Sequence, residues 1–365
     1  MSQRRTMSLG PVIGVAKGIA RRLWPHSGQL LLVVDKAGWV VDEFGDSLLS
    51  GLPGHLRTRV VGGEWVSARN CTIHFINRTW AWSEGILDRV HPSNRVIGLW
   101  QHGRLDAPEQ KLQAALDRLR RLHHRFERIQ VLCSSARETL LALGVPAWKI
   151  VLLPQGVELQ RFQPVAGEAE RTLARRMLGV SDHAVVIGSF QKDGDGWGDG
   201  DHPKLIKGPD VLADAIERLR EHCPVHVLLP GPARGYLTRR LQKAGVPFTA
   251  PGFVSSGEIP RLYHALDIYV SPSRDEGGPQ GVLEAMASGV PVVSTRTGMA
   301  ADLIESGTNG LLVPIDDAEA LANAVLELAR KPLLEASIAK RAQATIAAYD
   351  WSLLAQRYAK ELYAL

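Results

Sequence analysis

Short apolar segments alternate with stretches of helical periodicity along most of the chain. Continuous apolar runs of four to eight residues are typical of strands that are covered on both faces, as in parallel sheets connected by helices. Strands are predicted at 30–34, 57–61, 71–76, 96–101, 129–133 and 149–153 in the first half, and at 184–190, 225–229, 267–271, 290–294 and 310–313 in the second. The pattern therefore predicts an α/β protein built from βα units.

Helical periodicity is clearest in residues 108–125, where five apolar side chains recur at spacings of three and four: Leu112, Ala115, Leu116, Leu119 and Leu122. Further helices are predicted at 209–221, 235–244, 279–288 and 317–330. The turn-forming residues of Pro154–Gly167 indicate a linker, so a boundary is expected near residue 165. The sequence predicts two doubly wound domains, 1–165 and 166–350, and a C-terminal helix at 351–365 that packs back on the first domain.

Composition excludes several classes of protein. The chain is 45% hydrophobic and 22% charged, and no run approaches the roughly 20 apolar residues of a membrane-spanning helix. The three widely separated cysteines match neither a disulfide framework nor a metal site, which indicates a reducing compartment. Polar and basic residues after Met1–Arg5 disfavour a secretory signal. We therefore expect a cytoplasmic protein.

Positive charge is concentrated in the first half. Residues 1–165 carry 22 Lys and Arg against 13 Asp and Glu, a net charge of +9, whereas the whole chain has +5. Five arginines cluster around one predicted helix: Arg118, Arg120, Arg121, Arg125 and Arg128. They predict an anionic acceptor or peripheral contact with an anionic membrane, and ordinary surface solvation is the alternative. Residues 10–24 could form a basic amphipathic helix on such a membrane, or else pack on the fold or stay disordered.

An Asp/Gly-rich segment, 193–201, has glycine at every second position. This spacing disfavours both helix and strand, so a mobile surface loop is predicted. Its alternating aspartates are similar to a calcium loop, but Trp197 occupies the fifth position and no Glu stands at the twelfth. No metal site is predicted, and a lid or insertion is the favoured interpretation.

The most informative segment is Ser271–Val293, which follows a predicted strand. Glu276 lies where open α/β sheets bind their ligands, beyond the carboxyl end of a strand. Gly277 and Gly278 permit close backbone approach, and Pro279 suits the first helical position. The new helix would aim free N–H groups at a phosphate. Glu284, farther along that helix, could accept hydrogen bonds from the hydroxyls of a ribose. In isolation the two glutamates would more often be a helix cap and a solvated residue.

The segment resembles the E-x7-E signature of retaining glycosyltransferases of the GT-B fold, in particular glycosyltransferase family 4 (group 1). The two glutamates are separated by seven residues and followed by Ala-Met-Ala-Ser-Gly-Val-Pro-Val-Val. Other family-like segments occur in order, at 133–135, 143–145, 153–158, 309–313 and 350–352. The resemblance is dense from about 130 to 355 and thin before that. It implies two Rossmann-like domains with a cleft between them.

The resemblance assigns roles to particular residues. It implies that Glu276 contacts the transferred sugar and Glu284 the nucleotide ribose, and that Lys207 binds the diphosphate with the amides of Gly277, Gly278, Gln280 and Gly281. The family's second phosphate-binding cation, an arginine, is replaced by Ser189, and Lys192 is the predicted substitute. Three further assignments follow from the resemblance: His102 near the donor sugar, Val254 near the nucleobase, and Gly38 and Trp39 on the acceptor side.

The implied reaction moves a sugar from a nucleoside-diphosphate sugar to an acceptor hydroxyl, on a glycan or a lipid-linked or other saccharide, without metal or other cofactor. Four alternatives are kept in view. A glycosidase also uses two carboxylates. A non-catalytic partner subunit could hold the sugar nucleotide without transferring its sugar. An oxidoreductase lacks the G-x-G-x-x-G motif that would support it, and nucleic-acid binding lacks a recognisable module.

Overall fold

The structure is a computed structural model, and it describes residues 29–34, 40–54, 57–61, 63–76, 82–83, 85–106, 110–181, 183–196 and 198–363. The candidate acceptor residues Gly38 and Trp39 and the basic segment 10–24 lie outside the described residues. Within the described part, every helix is too short or too polar to cross a bilayer.

Twelve strands form two parallel six-stranded sheets. The first sheet contains β1 Leu30–Val34, β2 Arg57–Val61, β3 Thr72–Phe75, β4 Arg95–Trp100, β5 Arg128–Val131 and β6 Ile150–Leu152, in the spatial order β2-β1-β3-β4-β5-β6. The second contains β7 Val185–Gly188, β8 Val225–Pro230, β9 Phe248–Gly252, β10 Ile268–Ser271, β11 Val292–Thr295 and β12 Leu311–Val313, in the order β12-β11-β10-β7-β8-β9. In each sheet the strand order runs outward in both directions from a central pair, which is β1 and β3 in the first sheet and β10 and β7 in the second, as in doubly wound folds.

Helices connect the strands and cover the sheets. They are α1 Val40–Gly51, α2 Gln110–Leu122, α3 Ser134–Ala142, α4 Glu168–Met177, α5 Pro209–Leu219, α6 Gly235–Lys243, α7 Ile259–His264, α8 Gln280–Ala287, α9 Gly298–Leu303, α10 Ala318–Arg330, α11 Pro332–Ile346 and α12 Trp351–Arg357. Short 3-10 turns occur at Glu64–Ser67, Leu87–Arg89, His123–Arg125, Ala147–Lys149, Leu205–Lys207 and Ala347–Tyr349, and a π-helical turn at Tyr358–Tyr363. Because the strands of each sheet are parallel, the loops that follow them emerge together at the carboxyl ends of the strands.

The prediction of alternating strands and helices is confirmed, with one strand missed. β9 has the sequence Phe-Thr-Ala-Pro-Gly and contains a single large apolar residue, so it lacks the hydrophobic run from which the other strands are predicted. It lies at the edge of the second sheet, where the missing N–H of Pro251 is tolerated.

The C-terminal segment packs against the first sheet and its helix α1. The rings of Trp351 and Phe44 meet edge to face with their centroids 4.9 Å apart. Tyr358 is fully buried in the same cluster, and its hydroxyl accepts a hydrogen bond from Gln130 of β5 at 2.5 Å. After the second sheet the chain therefore returns to the first, and α12 with the residues after it packs against the first half.

Replacing Trp351 by Ala should lower the free energy of unfolding by about 3–5 kcal/mol, because it leaves a large cavity in this cluster. Trp351 is only 5% exposed, whereas Trp148 is 65% exposed and provides the matched control. Trp148→Ala should cost less than about 1 kcal/mol. Denaturant unfolding of both variants tests this, and equal losses would show that the C-terminal helix contributes no special packing.

Candidate functional site

The loop between β10 and α8 is fixed at both of its ends. The Thr295 hydroxyl donates to the carbonyl of Ser273 at 2.5 Å and so holds the start of the loop. Farther along, a Cβ on Gly277 would lie 2.0 Å from the carbonyl oxygen of Gln101, which follows β4 of the first sheet. A Cβ on Gly298 would lie equally close to the carbonyl of Glu276. The turn is therefore clamped between the two halves of the chain, and only glycine fits there.

Glu276 forms a partly buried ion pair with Lys207, which comes from the loop before α5. Its other carboxylate oxygen accepts the N–H of Gly277 at 3.1 Å. Burial alone would raise the pKa of Glu276, but the positive charges of Lys207 and His102 outweigh it and hold the pKa below its usual value. Glu276 is therefore an ionised hydrogen-bond acceptor and a poor proton donor.

His102 comes from the first half of the chain and faces this loop. It follows β4, and its Nδ1 lies 3.3 Å from a carboxylate oxygen of Asp275. Beside Asp275 a cavity of about 530 Å³ opens between the halves, with walls that include Arg104, Thr139 and Arg296. The predicted grouping of His102 with the E-x7-E loop is thus present in the structure, and open space adjoins it.

Glu284 points into the protein from the second turn of α8. It is 7% exposed, and the Tyr263 hydroxyl donates to its Oε2 at 2.7 Å. Burial raises the pKa of Glu284 to about 7, although the hydrogen bonds from Tyr263 and Gln280 act in the opposite direction. The alternative of a solvated helix residue is therefore wrong. Two glutamates eight positions apart have pKa values that are shifted in opposite directions.

Glu284→Gln should increase the free energy of unfolding by about 1–3 kcal/mol at pH 8, because the buried charge is removed. A carboxyl group whose pKa is raised in the folded protein contributes its full stabilisation of the fold at pH values below its pKa in the unfolded chain. That contribution is lost as the pH rises through the pKa in the folded protein, which is about 7 for Glu284. The difference between variant and wild type should therefore shrink from pH 8 towards pH 4. Urea unfolding at several pH values measures it, and a difference independent of pH would contradict the assignment.

The start of α8 departs from one expectation. Helical geometry begins at Gln280 and Pro279 is the N-cap, so Pro279 is not the first helical residue. The Gln280 side chain accepts a hydrogen bond from Gln155, between the two sheets, and Gly281 lies on the Tyr269 hydroxyl, which a Cβ there would approach to 2.0 Å. The first amides of a helix have no intrahelical acceptor, so those of Gln280 and Gly281 can bind a ligand.

Lysines gather beside Glu276. Lys192, Lys204 and Lys207 lie on the segment between β7 and α5, and the pKa of Lys204 is lowered by burial and by the charges of Lys207 and Lys192. Lys204 was not predicted as a site residue, although its position shortly before Lys207 in a glycine-rich loop is a usable signal. Three cations in one place, next to helix amides, suit an anionic ligand.

One expectation about the surface is corrected, and one stays a prediction. The Asp/Gly segment is not a freely mobile loop, since Asp193 is buried and Gly194 forms a β-bridge with Pro203. The arginine cluster does not line the cleft. Arg128 begins β5 and Arg120 and Arg121 end α2, whereas the cleft lies at the carboxyl ends of the strands. Membrane contact by this cluster stays a prediction.

The remaining predicted residues are placed as follows. Gly252 ends β9, Phe253 is exposed and Val254 is partly buried at the same sheet edge. Among the residues that the structure describes, no three His, Cys, Asp or Glu side chains are arranged to hold a metal ion.

Comparison with known proteins agrees with the motif. Residues 200–331 match the family model described as Glycosyl transferases group 1. The chain is 30% identical over 284 residues to the D-inositol 3-phosphate glycosyltransferase of Geodermatophilus obscurus, which covers 72% of this chain and 54% of that protein. It is 31% identical over 212 residues to the lipopolysaccharide core biosynthesis mannosyltransferase LpsB of Rhizobium meliloti, 54% of this chain and 55% of that one. The chain thus spans about half the length of these relatives.

Solved structures show the fold. The Anabaena protein HepE, crystallised with UDP-glucose, superposes with a TM-score of 0.75 at 21% identity, covering 92% of this chain and 100% of that one. Sucrose-phosphate synthase of Thermosynechococcus elongatus gives 0.69 at 18% identity, covering 92% and 98%. With its two parallel sheets and the glutamate pair at their junction, the chain has the GT-B fold, and its residues 200–331 match the group 1 glycosyltransferase model.

Proposed function

We propose that the protein transfers a sugar from a nucleoside-diphosphate sugar to an acceptor hydroxyl with retention of anomeric configuration, as a member of glycosyltransferase family 4. The observation that supports this most strongly is the arrangement of one loop and one helix. The Glu276–Lys207 pair, the first amides of α8 and the buried Glu284 follow one another from the carboxyl end of β10 into α8. These groups match, in order, a sugar, a diphosphate and a ribose.

The spacing along α8 fits an extended nucleotide. Glu284 lies four residues after Gln280, about 6 Å along the helix axis at 1.5 Å per residue. The phosphates would lie at the helix start, on the amides of Gln280 and Gly281 and on Lys207 and Lys192. The ribose hydroxyls would then reach Glu284, and the sugar would reach Glu276. Val254 at the end of β9 is proposed to contact the base.

The charges of the site support transfer and disfavour hydrolysis by two carboxylates. A glycosidase needs a protonated carboxylic acid beside the glycosidic bond, but the pKa of Glu276 is held low. The pKa of Glu284 is raised to about 7, yet this side chain is buried in α8 and bonded to Tyr263, where we place the ribose and not the sugar. Breaking the donor's glycosidic bond leaves negative charge on the diphosphate, which lysines and helix amides stabilise. In this scheme Glu276 orients the sugar, and the acceptor hydroxyl attacks on the face that the diphosphate leaves while a phosphate oxygen takes its proton.

His102 is proposed to contact the donor sugar. Its Nδ1 lies 3.3 Å from Asp275, the residue next to Glu276, so the imidazole is held beside the loop where we propose the sugar binds. Because His102 comes from the first half of the chain and Glu276 from the second, the sugar would be held only when both halves are in contact. This arrangement excludes water from a donor that water would otherwise hydrolyse.

The relatives support a nucleotide donor but do not fix the acceptor. HepE was crystallised with UDP and with UDP-glucose, and the curated relatives are named for an inositol phosphate and for a lipopolysaccharide core. A glycan or lipid-linked saccharide is the acceptor class we propose, and the cavity beside Asp275 is where it would enter.

Glu284→Ala should weaken the binding of a nucleoside diphosphate about 10-fold or more, because hydrogen bonds to a charged group are lost. Glu276→Ala should leave that affinity nearly unchanged, since Glu276 faces the sugar, and should lower turnover about 100-fold. Calorimetry with UDP, GDP and ADP, followed by transfer assays with the corresponding sugars, measures both. Glu319→Ala, an exposed change on α10, is the control. Equal losses of affinity from both site variants would contradict the division of roles.

Activity should survive chelation, because lysines and helix amides neutralise the diphosphate without a metal. Transfer would be measured after treatment with EDTA, and again after adding Mg²⁺ or Mn²⁺. Loss of transfer with EDTA and rescue by a divalent ion would instead show that the donor phosphates are bound through a metal.

A further inference from the structure

The segment Asp193–Asp201 packs against the start of α6 through its glycines. A Cβ on Gly194 or on Gly200 would lie 2.3 Å from the backbone of Ala233. The N–H groups of Gly235 and Tyr236, which begin α6, donate to the carbonyls of Asp199 and Gly200 at 2.6 and 2.8 Å. Gly194 and Gly200 thus let the two backbones meet closely, whereas Gly196 and Gly198 have open space around them.

Beneath this contact lies a buried pair of opposite charges. Asp193 is 1% exposed and Arg234 is 4% exposed. Nη1 of Arg234 lies 3.2 Å from a carboxylate oxygen of Asp193, and its Nη2 donates to the carbonyl of Ser189. No other acidic side chain is paired with Arg234 in the described part of the chain. The guanidinium therefore depends on Asp193 for its counter-charge.

Hydrogen bonding of this pair is incomplete. Nη1 of Arg234 and the nearer carboxylate oxygen of Asp193 meet at 3.2 Å outside hydrogen-bond geometry, and Nε of Arg234, the other carboxylate oxygen and the hydroxyl of Ser189 are buried without a hydrogen-bond partner. A buried ion pair offsets the cost of desolvation only when its remaining donors and acceptors are bonded. The neighbouring Ala233 has a φ of 57°, in the left-handed region that non-glycine residues rarely adopt. Unbonded polar atoms and backbone strain at one point indicate a site that a ligand can complete.

Arg234 lies close to the proposed phosphate site. β8, which precedes Arg234, and β10 both neighbour β7, whose end leads to Ser189. In β10, the Tyr269 hydroxyl accepts the N–H of Phe190 at 3.4 Å and contacts Gly281 at the start of α8. The charge of Arg234 also acts on Tyr269, whose pKa it lowers against the larger effect of burial. One layer of side chains thus separates the guanidinium from the helix amides.

We infer that Arg234 is a diphosphate-binding residue of this site, and that Asp193 is an internal anion that pairs with it until a donor phosphate displaces the carboxylate. This inference rests on the proposed function. A phosphate would replace the carboxylate as counter-ion and use the unbonded guanidinium donors, which are suited to phosphate oxygens. The role expected of Lys192 in replacing the family's arginine would then fall to Arg234.

The arrangement has a measurable consequence for affinity. When only a fraction of the protein is in the binding-competent state, the apparent dissociation constant equals the intrinsic constant divided by that fraction. Neutralising Asp193 removes the competing anion and should tighten diphosphate binding. Neutralising Arg234 should weaken it. A purely structural ion pair predicts the opposite for Asp193, because its loss would disturb the site.

The test is calorimetry with UDP, GDP and ADP and with the matching nucleosides. For the diphosphate that binds wild type, Asp193→Asn should tighten binding about threefold or more, and Arg234→Gln should weaken it about tenfold or more. Binding of the nucleoside, which lacks phosphate, should change in neither variant. Glu361→Gln and Arg357→Gln are matched controls, since they break the exposed Arg357–Glu361 pair of the C-terminal segment and leave Asp193–Asp201 and α6 unchanged. Both should keep wild-type affinities.

Several outcomes would overturn the inference. Weaker or unchanged diphosphate binding by Asp193→Asn would show that Asp193 is structural, and unchanged binding by Arg234→Gln would remove Arg234 from the site. If Arg234→Gln fails to fold, Arg234→Lys keeps the charge and should bind more weakly than wild type, with the nucleoside again unaffected. Wild type that binds none of the nucleotides would overturn the proposed function and this inference together, whereas failure of the variants alone overturns only the inference.

Discussion

The Glu276–Lys207 ion pair is the contact on which the arrangement of the site depends. Lys207 comes from the segment after β7, Glu276 from the loop after β10, and the backbone next to Glu276 rests on Gln101 of the first half. One buried charge pair therefore connects three chain segments at the junction of the two sheets. An ion pair in this position loses much of its hydration. The N–H of Gly277 supplies one of the hydrogen bonds that the Glu276 carboxylate would otherwise accept from water. A sugar hydroxyl or a phosphate can supply the rest.

The pKa values of Glu276 and Glu284 shift in opposite directions because the surroundings of the two carboxyl groups differ. Both are buried, but Glu276 has Lys207 and His102 beside it, whereas Glu284 has the hydroxyl of Tyr263 and no cation of comparable effect. Burial without a strong cation favours the neutral carboxylic acid, and a nearby cation favours the carboxylate. At neutral pH the protein thus presents a fixed anion before α8, where we propose that the sugar binds, and an easily titrated group within α8, where we propose that the ribose binds.

Much of this arrangement could be predicted from the sequence, because local chemistry determines it. The strand before Glu276, the glycines after it and the helix carrying Glu284 are contiguous, so their order is also their order in space. Arg234 could not be found in this way, since it reaches Ser189 only through the pairing of β7 with β8. Likewise, the glycines of 193–201 suggested mobility because their partner, the backbone around Ala233, lies more than thirty residues away along the chain.

The two buried ion pairs of the second half share one design. In each, a basic side chain suited to a phosphate is held by a carboxylate of the same chain: Lys207 by Glu276, and Arg234 by Asp193. An unpaired cation buried at a sheet edge would be costly, so each carboxylate stabilises the empty site. The two carboxylates differ in what surrounds them, because Glu276 accepts the amide of Gly277 and has a lowered pKa, whereas burial raises the pKa of Asp193 despite Arg234. Asp193 is therefore the anion more easily exchanged, and Glu276 the one that remains to meet the sugar.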